Sequence, residues 1–179
     1  MARAQMLLCL YGVIFLAATA CGWDEKKPAA MNPMDAAFER LKGLVGEWEA
    51  AASNEHVEKG QVLLRIRLTG GGTAISETIL PDTKMEMLSV YFRDGKDLVM
   101  THYCCVGNQP RMKARAGKDA NELIFEFVGG SNLDPATDPH IHGGVIRFLD
   151  GNRLHSEWDF YAGGKLQDKH SFDLVKKKS

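Results

Sequence analysis

Short runs of alternating apolar and polar residues fill most of the chain after residue 46. Alternation with a period of two places successive side chains on opposite faces of a strand, so it predicts sheet rather than helix. The runs follow one another closely enough for neighbouring strands to pair in order. The predicted strands are residues 47–53, 60–69, 73–80, 85–93, 96–105, 110–116, 121–128, 141–149, 152–161 and 166–175.

Turn residues separate many of these runs. Asp94-Gly95 and Asp150-Gly151 are typical two-residue hairpin turns, and Gly70–Gly72, Gly129-Gly130 and Gly163-Gly164 supply further corners. A sheet of about ten antiparallel strands leaves exposed edges unless it closes on itself. The pattern therefore predicts an all-β fold, a closed antiparallel up-and-down barrel of about ten strands.

One helical segment precedes the strands. Phe38, Leu41 and Leu44 recur at helical spacing, and Gly43 is a natural stop. Asp35 is the expected N-cap, because its carboxylate can accept hydrogen bonds from the free amides of the first turn. We therefore expect a short N-terminal helix in front of the barrel.

The N-terminus has the composition of a secretory signal. Arg3 supplies a basic start, no charge follows until Asp24, and Ala18-Thr19-Ala20 offers small residues before a cleavage site. The apolar run is shorter than the ~20 residues needed to span a bilayer. We predict that residues 1–20 are a signal peptide and that the protein is exported.

Cys21 directly follows the predicted cleavage site. A cysteine after small residues resembles the lipoprotein box of bacteria, in which the acylated thiol anchors the protein to a membrane. Ala18 stands where that box usually has Leu, and ordinary cleavage would leave a freely exported protein instead. Lipidation of Cys21 is our prediction, with residues 21–34 as a tether and residues 35–179 as a barrel domain in the bacterial cell envelope or periplasm.

Composition narrows the class of protein. The 179 residues are 45% hydrophobic and 25% charged, with a formal net charge of −1. These values are typical of one globular domain that can bury a core. Basic and acidic residues are mixed along the chain, so the sequence predicts no surface for nucleic acid.

Gly46-Glu47-Trp48 follows the predicted helix and opens the first strand. This arrangement resembles the start of lipocalins and fatty-acid-binding proteins, the calycins, in which the Trp plugs the closed end of the barrel. Ten strands resemble the fatty-acid-binding and nitrobindin-like branches more than the eight-stranded lipocalins. The segment 101–112 also resembles a run in exported bacterial proteins of the same lipocalin-like class, whose activity is not settled.

This resemblance implies a function and roles for single residues. Barrels of this kind hold small apolar or amphipathic ligands in their lumen. Nitrobindin-like barrels bind haem through a late histidine, which nominates His170 as a cofactor-binding residue. Many lipocalins pack an Arg on the Trp, and Arg153 or Lys169 is the expected substitute here.

His102, Cys104 and Cys105 end one predicted strand. Alternation places His102 and Cys104 on one face and Tyr103 and Cys105 on the other, so we do not expect both thiols to reach one cavity. Three interpretations stay open. The group is a soft-metal or redox site, a vicinal disulfide, or a pair of cysteines packed as small apolar side chains.

His140 and His142 follow a long polar connection, residues 129–139. Two imidazoles at this spacing share a strand face about 7 Å apart and can ligate one metal. The carboxylate that completes the cupin motif is missing from the residues that follow. The alternative is a pair of hydrogen-bonded histidines at the rim of the barrel.

A ligand cavity is expected at the end of the barrel opposite the Gly-x-Trp motif, because the motif marks the closed end. The predicted polar mouth consists of His102, Asn108, Gln109, His140 and His142. The apolar wall is expected to include Trp158, Leu88, Val90, Phe92, Leu123, Phe125 and Phe127.

Glu157 and Asp159 alternate with Trp158 and Phe160 along one predicted strand. The simpler assignment turns the two aromatic rings inward and leaves the two carboxylates on the surface. Paired carboxylates also serve as acid and base in enzymes, which is the alternative reading.

The predicted function is a binding module without catalysis. Its predicted partners are a small-molecule ligand and, through the acylated N-terminus, a membrane. One alternative is a haem- or metal-binding barrel, with or without enzymatic activity, that uses His170 or the group His102, His140 and His142. A second alternative is a structural envelope protein without a ligand.

Overall fold

A computed structural model describes residues 31–178 of the chain. One helix, α1 (Pro33–Lys42), precedes ten strands, and a 3-10 turn at Gly70–Gly72 joins the second strand to the third. The strands are β1 (Gly46–Ala50), β2 (Val62–Thr69), β3 (Ala74–Ile79), β4 (Met87–Asp94), β5 (Asp97–Tyr103), β6 (Gln109–Ala116), β7 (Glu122–Ser131), β8 (His140–Asp150), β9 (Arg153–Ala162) and β10 (Lys165–Lys176). The predicted signal peptide, Cys21 and most of the predicted tether lie outside the described residues.

The strands form one closed antiparallel barrel. Each strand pairs with its neighbours in sequence, and β10 closes the sheet by pairing with β1. The predicted fold, an all-β closed barrel of ten strands with a short N-terminal helix, is confirmed. Within residues 31–178, no helix is both long enough and apolar enough to cross a membrane.

Asn32, and not the predicted Asp35, caps the helix. The Asn32 side chain accepts a hydrogen bond from the Met34 amide at 2.9 Å, and Pro33 occupies the first helical position. Asp35 lies within the first turn, where its carboxylate forms an ion pair with Arg93 at 2.9 Å. The predicted cap was three residues too late because Pro33, whose fixed backbone angle suits the first helical position, starts the helix earlier.

The helix covers one end of the barrel, which we call the closed end. Phe38 and Leu41 are buried in the barrel core. Arg40 donates to the Ala120 carbonyl and to Asn121 Oδ1 at 2.9 and 2.7 Å, which ties the helix to the β6–β7 turn. The open end holds the connections on the other side, residues 51–61, 80–86, 104–108, 132–139 and 163–164.

Trp48 lies in the core with no exposed surface. Its indole N–H donates to the Leu44 carbonyl at 2.7 Å, so the one polar atom of the ring is satisfied. The cation beside the ring is Lys176, whose Nζ lies 5.6 Å from the ring centroid. Arg153 and Lys169, the expected substitutes, pair with carboxylates elsewhere, because Lys176 is the residue directly opposite Trp48 in the β1–β10 pair.

Candidate functional site

The barrel contains a cavity of about 530 Å³ that extends from Leu44 to the connections of the open end. This volume is in the range of pockets that hold small organic ligands. Most of the wall is apolar and comes from β2, β3, β4, β5, β8, β9 and β10. The main apolar lining residues are Leu63, Leu64, Ile79, Met87, Met100, Ile146, Leu154, Trp158, Phe160 and Phe172.

Three polar side chains form a row across one wall of this cavity. Glu77 pairs directly with Ser89 in the β3–β4 register, and Ser89 pairs directly with His102 in the β4–β5 register. Directly opposite residues of an antiparallel pair place their side chains on the same face, close enough to interact. We call Glu77, Ser89 and His102 the polar row.

His102 is the member of the polar row with an unused hydrogen-bonding atom. The ring is 4% exposed, and its Nδ1 lies 3.0 Å from Ser89 Oγ. The other ring nitrogen, Nε2, is buried and has no hydrogen-bond partner among residues 31–178. Burial lowers the pKa of the imidazole to about 4, so the ring is neutral at pH 7.

Glu77 is a carboxyl group inside the barrel. It is 5% exposed, and its Oε1 accepts a hydrogen bond from the Tyr91 hydroxyl at 3.1 Å. Burial raises the pKa of Glu77 from 4.5 to about 7, and the hydrogen bond from Tyr91 opposes part of that rise. No Lys or Arg is among the described residues that line the cavity, so this carboxyl group has no cationic partner there.

A second group of polar side chains lies at the open end of the cavity. His56 comes from the β1–β2 connection, and His170 comes from β10; both line the cavity. The Nε2 atoms of His56 and His170 lie 3.6 and 3.2 Å from Asp168 Oδ2. Burial, followed by the charge of His56, lowers the pKa of His170. We call His56, Asp168 and His170 the rim cluster.

His170, the residue nominated for haem, has close neighbours in this structure. Its Nε2 is directed to Asp168, and its ring lies near Phe160 and His56, with centroid distances of 5.6 and 4.4 Å. An axial ligand must present a free ring nitrogen to the iron. Haem ligation through Nε2 would therefore replace the contact with Asp168, and it stays a prediction.

Cys104 and Cys105 both reach the cavity, which corrects the prediction from alternation. Strand β5 ends at Tyr103, and the two cysteines lie in the turn that follows. The Cys104 amide donates to the Asn108 carbonyl at 3.0 Å, and the Gly107 amide donates to the Cys104 carbonyl at the same distance. The period of two therefore no longer applies at Cys105. Both thiols are free, and burial raises the pKa of the Cys104 thiol.

His140 and His142 do not line the cavity, although they were predicted at its mouth. Pairing between β7 and β8 stops at Glu126–Gly143, and the β8–β9 register shifts between Ile141 and Gly143. His140 is fully buried, and its Nε2 lies 2.9 Å from His142 Nδ1. The two histidines occupy the gap where β7 and β8 separate.

Aromatic rings surround this histidine pair. The His142 ring stacks on Tyr161 and on Phe127, with centroid distances of 4.2 and 4.6 Å. His140 Nδ1 lies 2.8 Å from the Asp138 carbonyl. Burial, followed by the charge of His140, lowers the pKa of His142. These contacts are those of a packed pair that closes the side of the barrel.

Asn108 and Gln109 also lie outside the cavity lining. The buried Asn108 side chain donates to the Pro139 carbonyl at 2.8 Å, and Gln109 Oε1 accepts from Asn132 Nδ2 at 3.0 Å. Asn108 therefore joins the 104–108 connection to the 132–139 connection, and Gln109 joins the start of β6 to the same connection. Of the predicted polar mouth, only His102 reaches the lumen.

Strand β9 has the predicted orientation. Trp158 and Phe160 line the cavity, whereas Glu157 and Asp159 lie outside and pair with Lys169. In this arrangement the two carboxylates are part of a surface ion-pair network. Trp158 therefore lies where the sequence places it, on the cavity wall.

Strand β4 has the orientation opposite to the predicted one. Met87, Ser89 and Tyr91 face the interior, so the more apolar set Leu88, Val90 and Phe92 faces outward. Phe92 lies on the outer surface, where the Arg111 guanidinium carbon is 5.5 Å from the centroid of the Phe92 ring. Leu123 and Phe125 are buried in the solid core, and Phe127 packs on the histidine pair.

Sequence reasoning missed Glu77, Ser89, Tyr91 and His56. A signal for Glu77 is present in the chain, because Ile75 and Ile79 flank it at the spacing of one strand face. A lone carboxyl group between two inward-facing isoleucines must be buried or must end the strand. His56 lies in an irregular connection, where no periodicity indicates its direction.

Comparison with models of known protein families and with curated proteins found no match.

Proposed function

We propose that this protein binds a small amphipathic molecule inside the barrel. The apolar part of the ligand would lie against the wall of the 530 Å³ cavity, and its polar end would meet the polar row. The observation that carries the proposal is the free Nε2 of His102, a buried polar atom with no partner among residues 31–178. The resemblance of Gly46-Glu47-Trp48 to the start of calycin barrels supports the same class of function.

The energetic reason is the cost of leaving a polar atom unpaired in an apolar cavity. A buried donor or acceptor without a partner costs about 1–3 kcal/mol, and a ligand that supplies the hydrogen bond removes that cost. If Ser89 donates to His102 Nδ1, Nε2 carries the proton and donates to the ligand. If His102 Nδ1 donates to Ser89, Nε2 is an acceptor. A ligand hydroxyl group satisfies His102 in either state.

The charge of the lumen restricts the polar end of the ligand. Glu77 is the ionisable acid of the polar row, His102 is neutral, and no Lys or Arg of residues 31–178 lines the cavity. A carboxylate ligand would bring a second negative charge beside Glu77 without a cation to compensate it. We therefore propose a neutral or cationic ligand, such as an alcohol or an amine with an aliphatic body.

We propose binding without catalysis. Ser89 and His102 form a hydroxyl–imidazole pair, which is one part of a Ser-His-acid triad. In such a triad an acidic group orients the second ring nitrogen of the histidine. His102 Nε2 has no such partner in the described chain, and the nearby Glu77 carboxyl group is engaged by Tyr91.

Competition for the cavity tests this proposal. The neutral dye N-phenyl-1-naphthylamine should fluoresce on addition of the purified protein, and decanol or decylamine should displace it. Decanoate should displace it at least about tenfold more weakly, since its charge is uncompensated. His102→Leu should weaken decanol binding by about 5- to 10-fold, the value of one lost hydrogen bond.

Two variants control this experiment. His155→Leu changes a histidine on the outer face of β9, where it pairs with Asp173, and should leave binding unchanged. Ile146→Trp fills the cavity and should abolish dye binding. Dye fluorescence that is absent in the wild-type protein, or that persists in Ile146→Trp, would exclude binding in the barrel.

We also propose that the protein is exported and anchored through an acylated Cys21, on the basis of its N-terminal sequence. Mass spectrometry of the mature protein should find acyl chains on Cys21. Cys21→Ser should move the protein from the membrane fraction to the soluble fraction. A wild-type mature N-terminus that carries no acyl mass would exclude the anchor.

A further inference from the structure

We propose that the rim cluster, His56, Asp168 and His170, is a binding site for a divalent transition metal such as zinc. One ligand atom from each residue lies within 4.8 Å of the other two. The proposal concerns the rim and not the polar row, and the exclusion of carboxylate ligands given above applies to the protein without a metal at the rim.

The separations between these atoms are close to those around a bound metal. Metal–ligand bonds of 2.0–2.1 Å place the donors of a tetrahedral site about 3.3 Å apart. The two histidine Nε2 atoms lie 3.2 and 3.6 Å from the same oxygen, Asp168 Oδ2. Small side-chain rotations would bring all three donors onto one ion. Glu55 Oε1, which lies 3.6 Å from His56 Nε2, is a fourth oxygen donor within reach.

The backbone of β10 directs two of the three donors to one place. The β9–β10 register shifts between Leu166 and Asp168, so that Asp168 lies opposite Phe160 and His170 lies opposite Trp158. Phe160 and Trp158 both face the cavity, so their partners share that face. The bulge therefore places the Asp168 carboxylate and the His170 imidazole on the same face of β10, near the open end.

The β1–β2 connection holds the third donor in position. Asn54 Oδ1 accepts from the His56 and Val57 amides at 2.8 and 3.0 Å, and Asn54 Nδ2 donates to the Ser171 carbonyl at 2.9 Å. Val57 is buried in the core cluster beside it. The connection is therefore fixed to β10 before His56 and to the core directly after it, which lowers the entropy lost when a metal binds.

The chemistry of the donors indicates which ions fit. Two imidazole nitrogens and a carboxylate oxygen suit zinc, nickel or copper, whereas magnesium and calcium prefer a shell of oxygen atoms. Three protein ligands leave a further position on a four-coordinate zinc ion for water or another ligand. Since His56 and His170 also line the cavity, the ion would lie between the cavity and the solvent.

Calorimetry of metal-free protein tests the site. After treatment with a chelator, the purified protein should bind one zinc ion per chain, and magnesium should not compete. The double variant His56→Ala, His170→Ala should lower the zinc affinity by at least about 20-fold, and Asp168→Asn by at least about tenfold. Cobalt should give the visible absorption bands of a four-coordinate ion in the wild-type protein alone.

The other histidine pair supplies the matched control. His140→Ala with His142→Ala also removes two adjacent imidazoles, but it should leave the zinc affinity unchanged. NMR spectra of the wild-type protein give a readout without substitution: zinc should shift the imidazole signals of His56 and His170. Absence of zinc binding, unchanged binding in the rim variant, or loss of binding in the control would each overturn the proposal.

Discussion

The two ends of the barrel are built from the same strands but are filled differently. Along β5, the inward side chains pass from Leu98 and Met100, which are 0% and 1% exposed, to His102 at the polar row. Along β10, they pass from Leu174 in the core to His170 at the open end. The closed end is mostly packed apolar core, and its part of the cavity wall is apolar, whereas the ionisable groups of the cavity lie toward the open end.

The residues that stabilise the fold and the polar residues of the cavity therefore lie at different positions along the barrel axis. Close packing of apolar side chains supplies most of the favourable free energy of folding, and the closed end has that packing. Buried polar atoms without a partner reduce stability; among residues 31–178 Arg93 has two such atoms beneath the helix at the closed end, but the one that belongs to a cavity-lining residue is His102 Nε2, toward the open end. The open end therefore contains the groups on which the proposed binding depends, and the closed end contributes most of the stability of the barrel.

The sharpest test of this contrast compares one tryptophan from each end. Trp48→Ala should lower the free energy of unfolding by about 3–5 kcal/mol, because it removes a fully buried ring at the closed end. Trp158→Ala should lower it by about 1–2 kcal/mol, because that ring borders a cavity and loses fewer contacts. Urea unfolding of both variants measures the two values, and equal losses would contradict the contrast.

Glu77 should make the open end sensitive to pH. Its pKa is about 7 in the folded protein and near 4.5 in the unfolded chain. The folded state therefore binds more protons between these values, so the stability that Glu77 contributes is complete below pH 4.5 and is lost as pH rises to about 7. A pKa difference of this size corresponds to about 3 kcal/mol.

The variant Glu77→Gln isolates this effect. The stability of the variant relative to wild type should rise by about 3 kcal/mol between pH 4 and pH 8. His102, whose pKa is lowered to about 4, has the opposite pH dependence, but it is present in both proteins and cancels in the difference. Tyr91 and Ser89, the other groups near Glu77, do not titrate in this range. A difference independent of pH would show that Glu77 is not buried as an isolated acid.

The smallest expected effect on ligand binding concerns the histidine pair between β7 and β8. His140→Ala with His142→Ala should leave displacement of the dye by decanol unchanged, because neither ring lines the cavity. Thermal unfolding should move to lower temperature, with a loss of about 1–3 kcal/mol, since His140 is buried and hydrogen-bonded. A clear loss of decanol affinity would extend the binding region to this side of the barrel.

The sequence predicts the closed end well, because there apolar residues face inward and the alternation is regular. The ten-strand closure follows from the alternation and the turns, and the buried position of Trp48 is what the Gly-x-Trp resemblance implies. At the open end the pattern is misleading. In β4 the inward set includes Ser89, whereas the outward set, Leu88, Val90 and Phe92, is entirely apolar. Hydrophobicity indicates the wrong face of a strand where polar side chains are buried, as Ser89 is in β4.

The remaining differences have local backbone causes. The turn after Tyr103 brings Cys104 and Cys105 to one cavity, and the bulge in β8 separates His142 from the lumen. Such irregularities depend on backbone hydrogen bonds and strand pairing, and the alternation of apolar and polar residues along the sequence does not indicate where they occur. The rim cluster joins residues more than 100 positions apart, so only the closed topology brings His56 and Asp168 together.

Gly144 determines how much of the lumen stays empty. A Cβ atom at this position would lie 2.3 Å from Trp158 Cε3 and 2.6 Å from the Glu157 carbonyl, so no larger residue fits beside the indole. The backbone angles do not require glycine there; the Trp158 ring and the backbone carbonyl of Glu157 do. Among relatives of this protein we therefore expect a side chain at position 144 only where position 158 carries a smaller residue and β9 lies farther from β8. The two positions together would then set the volume of the cavity, with the order of the strands unchanged.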